Sequence, residues 1–87
     1  MAEYYSAKIK VVSQTGTCGH GHKVGDEWIT SGKTPEGVCL SAFNSLCPRL
    51  QVLMYGGSAP WQEGEATTIA CPDAANPVVF ELRRLPY

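Results

Sequence analysis

Thr34-Pro35-Glu36-Gly37-Val38-Cys39-Leu40-Ser41-Ala42-Phe43-Asn44-Ser45-Leu46-Cys47-Pro48 is the stretch with a helical period, and it decides the fold class. Cys39, Ala42, Phe43 and Leu46 fall at i, i+3, i+4 and i+7, one face of an α-helix. Thr34 offers an N-cap hydroxyl. Pro35 suits the first helical position, because its missing N–H would be unpaired there anyway. Glu36 puts negative charge in the first turn, where the helix dipole favours it. Gly37 weakens that turn and allows a later start. Pro48 is expected to stop the helix, since its ring and lost donor disfavour continuation.

The rest of the chain has the period of strands. Tyr5, Ala7, Ile9 and Val11 alternate with Ser6, Lys8 and Lys10, a half-buried strand that ends in the turn-prone Ser13-Gln14-Thr15-Gly16. Residues 17–25 carry three glycines and two histidines and are expected to form a loop. Glu27 to Thr30 is a short strand around Trp28 and Ile29. Leu50 to Tyr55 is predicted as a further strand, closed by Gly56-Gly57. Thr67 to Cys71 is another, ending in the rigid turn Cys71-Pro72-Asp73. Asn76-Pro77 opens the last strand, with Val78, Phe80 and Leu82 facing one way and Val79, Glu81 and Arg83 the other. The expected order is β-β-α-β-β-β in a single small domain spanning residues 1–87. That is an α+β fold, with one helix covering one face of a small antiparallel sheet.

An 87-residue chain builds a marginal core, and metals, disulfides or subunit contacts often supply the missing stability at this size. The composition is 44% hydrophobic and 17% charged, with a net charge of −1, which is globular and not disordered. The seven basic residues are scattered, with Arg83-Arg84 the only adjacent pair, so nucleic acid is not an expected partner. No apolar run is long enough to span a bilayer, and Met1 to Lys10 lacks the apolar core of a signal peptide. A cytoplasmic protein without a membrane partner is expected. In that reducing compartment four cysteines act as metal ligands or reactive thiols before they form disulfides.

Cys18-Gly19-His20-Gly21-His22 is the richest stretch for chemistry. Three residues separate Cys18 from His22, and the glycines let the backbone fold tightly enough for a thiolate and an imidazole to share a centre. His20 competes with His22 for that role. Cys39 lies on the apolar helix face, where a cysteine is usually a small core residue. It also lies near the helix N-terminus, where the dipole favours a thiolate. Cys71 ends a strand ahead of Pro72, a common place for a site. Cys47 falls off the Cys39 face and is expected to be structural. Lys23, Asp26 and Asp73 are the charged groups placed to support such a site. Asp73 in particular would orient an imidazole, or else bond its own turn as aspartates usually do. Trp28 and Trp61 are expected as core or interface anchors. No phosphate loop, dinucleotide fingerprint, H-E-x-x-H or nucleophile elbow is present.

Taken in order, Cys18-x-x-Gly21-His22-Lys23-Val24-Gly25-Asp26, Thr34-Pro35-Glu36-Gly37-x-Cys39, Gly56-Gly57-x-x-Pro60-Trp61 and Cys71-Pro72-Asp73-x-x-Asn76-Pro77-Val78-Val79-Phe80-Glu81 form a distinctive series. The series resembles a family of small prokaryotic proteins of about this length, common in anaerobes and archaea. The resemblance covers roughly residues 11–85. It implies that Cys18, His22, Cys39 and Cys71 belong to a shared pattern and that Cys47 and His20 stand outside it. It implies no reaction, cofactor or partner.

Three functions are open to this set. Three cysteines and a histidine make a complete tetrahedral zinc site or a ligand set for an iron–sulfur cluster. A site with an open position, or a thiolate of Cys18 or Cys39 with His22 as base, would make an oligomeric enzyme working at subunit interfaces. Alternatively the chain is an accessory or structural subunit of a larger complex, with Gly56-Gly57-x-x-Pro60-Trp61 as its docking surface and its cysteines merely packed; the expected partner is a second copy or such a complex.

Overall fold

The computed structural model describes residues 5–58, 60–62 and 64–85. Five elements follow one another: β1 (Ser6–Gln14), β2 (Glu27–Thr30), α1 (Leu40–Met54), β3 (Ala66–Ala70) and β4 (Val78–Leu85). The strands form one antiparallel sheet in the order β2-β1-β4-β3. The central pair, β1 and β4, joins the two ends of the described chain. Ile9 stands opposite Trp28 on one side and Leu82 on the other, and Phe80 stands opposite both Val11 and Ile69.

Period-two alternation sets the two faces of the sheet. Ala7, Ile9 and Val11 of β1 and Val78, Phe80 and Leu82 of β4 are all buried, and α1 packs across β1, β3 and β4 to cover them. The opposite face carries Lys8, Lys10, Glu27, Ile29, Glu81 and Arg83. There Lys10 stands opposite both Glu27 and Glu81, with Nζ 3.8 Å from Glu27 Oε2. Such a half-exposed pair is worth at most about 1 kcal/mol, so burial of the inner face holds the sheet.

The α+β class and the single covering helix are as expected, but the helix is displaced toward the C-terminus. It does not begin at Thr34-Pro35. Gly37 has a φ of +94°, a left-handed conformation that no right-handed helix can include, so the first turn starts beyond it. Cys39 takes the N-cap position, and the first helical bond runs from Phe43 N–H to Cys39 O at 2.8 Å. Nor does Pro48 end the helix; it lies inside α1. Ala42, Leu46, Leu50, Leu53 and Met54 are buried at i, i+4, i+8, i+11 and i+12, so the apolar stripe runs straight past the proline. Burying that stripe against the sheet outweighs the local cost of one proline. Leu50–Tyr55 is therefore helix and its end, not strand, and among the described residues the order is β-β-α-β-β, with four strands where five were expected.

Gly56-Gly57 is the stop signal. The Gly56 N–H bonds Leu53 O at 3.1 Å and the Gly57 N–H bonds Val52 O at 2.8 Å, with Gly56 at a φ of +86°. This is the Schellman arrangement of a helix C-terminus. Arg84 completes it from β4, donating through Nη1 to Leu53 O (3.0 Å) and Gly57 O (2.9 Å) and through Nε to the Glu65 carboxylate. That ion pair holds the Glu65 carboxyl below its ordinary pKa, and its hydrogen bond from Arg84 is the largest cause.

Among the described residues, no helix is long and apolar enough to cross a membrane.

Candidate functional site

Cys18, Cys39 and Cys71 come from three separate segments and line one cavity of about 220 Å³, together with His20, Asp73 and Asn76. None of the four cysteines is bridged, and all are partly buried.

The fold brings the three thiols there by different means. Cys18 lies in the loop between β1 and β2, and backbone bonds tie that loop to the β3–β4 turn. Thr15 N–H bonds Pro77 O at 3.0 Å, and Thr17 N–H bonds Asn76 Oδ1 at 3.0 Å. Gly16 makes the approach possible. Its φ is +73°, and a Cβ there would stand 2.3 Å from Asn76 Oδ1. Cys71 follows the last residue of β3, its N–H bonded to Val78 O at 2.9 Å. Its sulfur accepts the Val78 N–H at 3.3 Å. Cys39 caps α1 and packs against the core beside Cys18 and Cys71.

The two histidines behave oppositely. His22 is only 6% exposed, and its ring stands edge-on to Trp28 (5.2 Å) and Phe80 (5.9 Å). Its Nε2 accepts the Cys39 N–H at 3.0 Å. Burial pushes the His22 pKa below the usual histidine value. Charge on neighbouring His20 pushes the same way, and Asp26 opposes both. Through that bond the ring is a fixed acceptor for a backbone donor that α1 itself cannot satisfy. His20 is exposed on the cavity wall, its ring centroid 4.7 Å from that of His22, and its Nε2 lies 3.2 Å from Gly37 O.

The charged neighbours are engaged elsewhere. Asp26 accepts Lys23 N–H at 3.1 Å and Lys23 Nζ at 3.2 Å, closing the turn into β2. Those bonds, the backbone one first, hold its carboxyl below the ordinary aspartate range. Asp73 accepts the N–H groups of Ala75 (3.1 Å) and Asn76 (3.2 Å) and so bonds its own turn, although it also borders the cavity. Cys47 is apart from the other thiols, in a separate cavity bordered by Thr30, Lys33, Phe43 and Met54. Trp28 packs against the core. Trp61 is exposed, with the Arg49 guanidinium 5.1 Å above its ring.

The three cysteines singled out in the sequence thus share a cavity, whereas His22 lies behind Cys39 and His20 takes the place at the wall. Among the described residues, no group of three or more His, Cys, Asp or Glu side chains is arranged to hold a metal ion. No family model, curated protein or solved structure matches the chain. Asn76, which links the Cys18 loop to the Cys71 turn, was not singled out from sequence. Its signal was the Asp73-x-x-Asn76 spacing of a side-chain-bonded turn.

Proposed function

We propose that this protein binds a soft metal centre, zinc or an iron–sulfur cluster, through the thiolates of Cys18, Cys39 and Cys71 with a histidine nitrogen as fourth donor. The observation that carries the reading is the shared cavity: three cysteines separated by 21 and 32 residues in sequence (39 − 18 and 71 − 39) line one small space. The three also pack against the core, but core packing alone does not call for three thiols at one place. Thiolate donors suit soft and borderline metals. Three cysteines around a cavity, with no ready site for one ion, favour a cluster, which brings its own bridging sulfides and spans more space. A single zinc ion would need the three sulfurs drawn together around it, because its bonds to sulfur are only about 2.3 Å. The Val78 N–H directed at Cys71 fits both, since hydrogen bonds to ligand sulfur tune such centres.

Free thiols of this kind persist in a reducing cytoplasm. Contact with a second copy or a larger complex belongs to the same reading, for which exposed Leu40, Ile29 and Trp61 supply apolar surface.

Elemental analysis and a visible spectrum of protein purified without oxygen test the proposal. Stoichiometric zinc in a colourless protein, or iron and sulfide in a brown one, is the expected result. Cys71→Ser should lose the metal and Cys47→Ser should keep it. Metal-free protein, or the reverse pattern in the two variants, would overturn the assignment.

A further inference from the structure

We infer that the cavity bordered by Cys47, between α1 and the turn after β2, is a binding site for a small carboxylate with an apolar body. Its volume is about 290 Å³, at the low end of the range of small-molecule sites (~300–1,000 Å³), so the ligand is small. Among the described residues none borders both this cavity and the one shared by Cys18, Cys39 and Cys71. The inference therefore stands apart from the metal reading.

The helix supplies the apolar part. Phe43, Cys47, Leu50 and Met54 fall at i, i+4, i+7 and i+11, along one side of α1, and all four line the cavity. Leu50 and Met54 are buried, and Phe43 is half-buried. The segment after β2 supplies the polar part, and a closed turn holds it in place. Thr30, the last residue of β2, is 6% exposed. Its Oγ1 accepts the Gly32 N–H at 3.2 Å and donates to the carbonyl oxygen of Lys33. Those two bonds fix the backbone of Lys33 at the cavity border.

Charge and donor chemistry decide the class of ligand. Lys33 is the one charged residue of the described lining, which holds no Asp or Glu. Among the described residues Lys33 has no ion pair; the four that form use other side chains. An ammonium has three donors and no acceptor, and the Thr34 hydroxyl and Gln51 amide beside it can donate as well. A cationic ligand would meet like charge with no carboxylate to answer it. A polyanion would find a single cation. A monoanion whose apolar end packs on Leu50 and Met54 is matched at both ends, in the manner of sites with an apolar lining and a few polar groups that fix orientation.

The test is a titration of the full chain with octanoate, kept below its micelle concentration, alongside octanamide and octylammonium, which share its chain length with neutral and positive ends. Methionine methyl groups labelled with carbon-13 report binding, and Met54 is one of two methionines in the chain. Octanoate should shift the Met54 methyl signal saturably and bind tightest of the three. Octanamide should bind about two- to fivefold more weakly, the scale of a solvent-exposed ion pair, and octylammonium more weakly still. Lys33→Gln, an exposed change, should abolish the preference for octanoate over octanamide, and Lys33→Arg should keep it. A Met54 methyl signal unmoved by octanoate, equal binding of the three probes, a preference that survives Lys33→Gln, or one that is lost in Lys33→Arg would overturn the inference.

Discussion

Replacing Pro48 with Ala should stabilise the protein. Pro48 is the ninth of the fifteen residues of α1 and is exposed, so the change removes no core packing. Proline in a helix interior is about 3 kcal/mol less favourable than alanine, because it gives no N–H to the preceding turn and its ring crowds the carbonyl there. Alanine also loosens the unfolded chain, which returns about 0.4–1 kcal/mol. The net expectation is a gain of about 2 kcal/mol. For a domain of 87 residues this raises the thermal midpoint by roughly 8–16 °C. Urea denaturation followed by far-ultraviolet circular dichroism measures it, with Pro35→Ala as a control. Pro35 lies in the irregular segment before α1, where the same substitution should cost about 0.4–1 kcal/mol through the unfolded state alone. A Pro48→Ala variant no more stable than wild type would refute the reasoning. It would mean that the proline separates two shorter elements and that Leu50–Met54 is not a continuation of the helix.

Two further changes probe the supports of the site and of the helix end. Gly16→Ala should destabilise by about 2–3 kcal/mol, from a left-handed backbone (about 1–2 kcal/mol) and the displaced Asn76–Thr17 hydrogen bond (about 1 kcal/mol). A urea midpoint within error of wild type would show that the Cys18 loop is not tied to the Cys71 turn. Glu65→Gln should lower stability at pH 7, and by progressively less as pH falls below the ordinary carboxylate range. The folded-state pKa of Glu65 is depressed, so its contribution is present above the unfolded value and lost as pH falls through the folded one, while Arg84 stays charged throughout. A difference between wild type and variant that stays the same from pH 7 into that acid range would count against the ion pair.

β1 and β4 are legible because they alternate cleanly, whereas Leu50–Tyr55, expected as a strand, is the end of α1. Ile9 and Val11 in β1, and Phe80 and Leu82 in β4, announced the inner face without any knowledge of neighbours. The helix was half legible. Thr34, Pro35 and Glu36 are good helix starters, but Gly37 takes a conformation that forbids a start before it, and the capping falls to Cys39. At the far end, local chemistry and long-range packing disagreed. Pro48 is a strong local breaker, yet Leu46, Leu50, Leu53 and Met54 share a stripe whose burial is settled only by the sheet. The Gly-Gly pair after Tyr55, expected to close a strand, instead ends the helix. At the site, cysteine chemistry identified the three residues that share the cavity. Spacing could not separate His20 from His22, two residues apart in a glycine-rich loop, because the difference lies in which backbone group meets each ring.

Because the middle of the sheet is built from β1 and β4, the first and last strands of the described chain, residue 9 waits for residue 82 before its side is closed. A growing polypeptide emerging from the ribosome can pair β1 with β2 early, but that two-stranded piece is marginal alone and leaves the flank of β1 bare. The closing step is therefore late and cooperative, and pairings this remote make folding slow. The same step delivers the Val78 amide to the sulfur of Cys71 and the Arg84 fork to the end of α1. A chain cut short before β4 would lose the fold and the thiol cavity in one stroke.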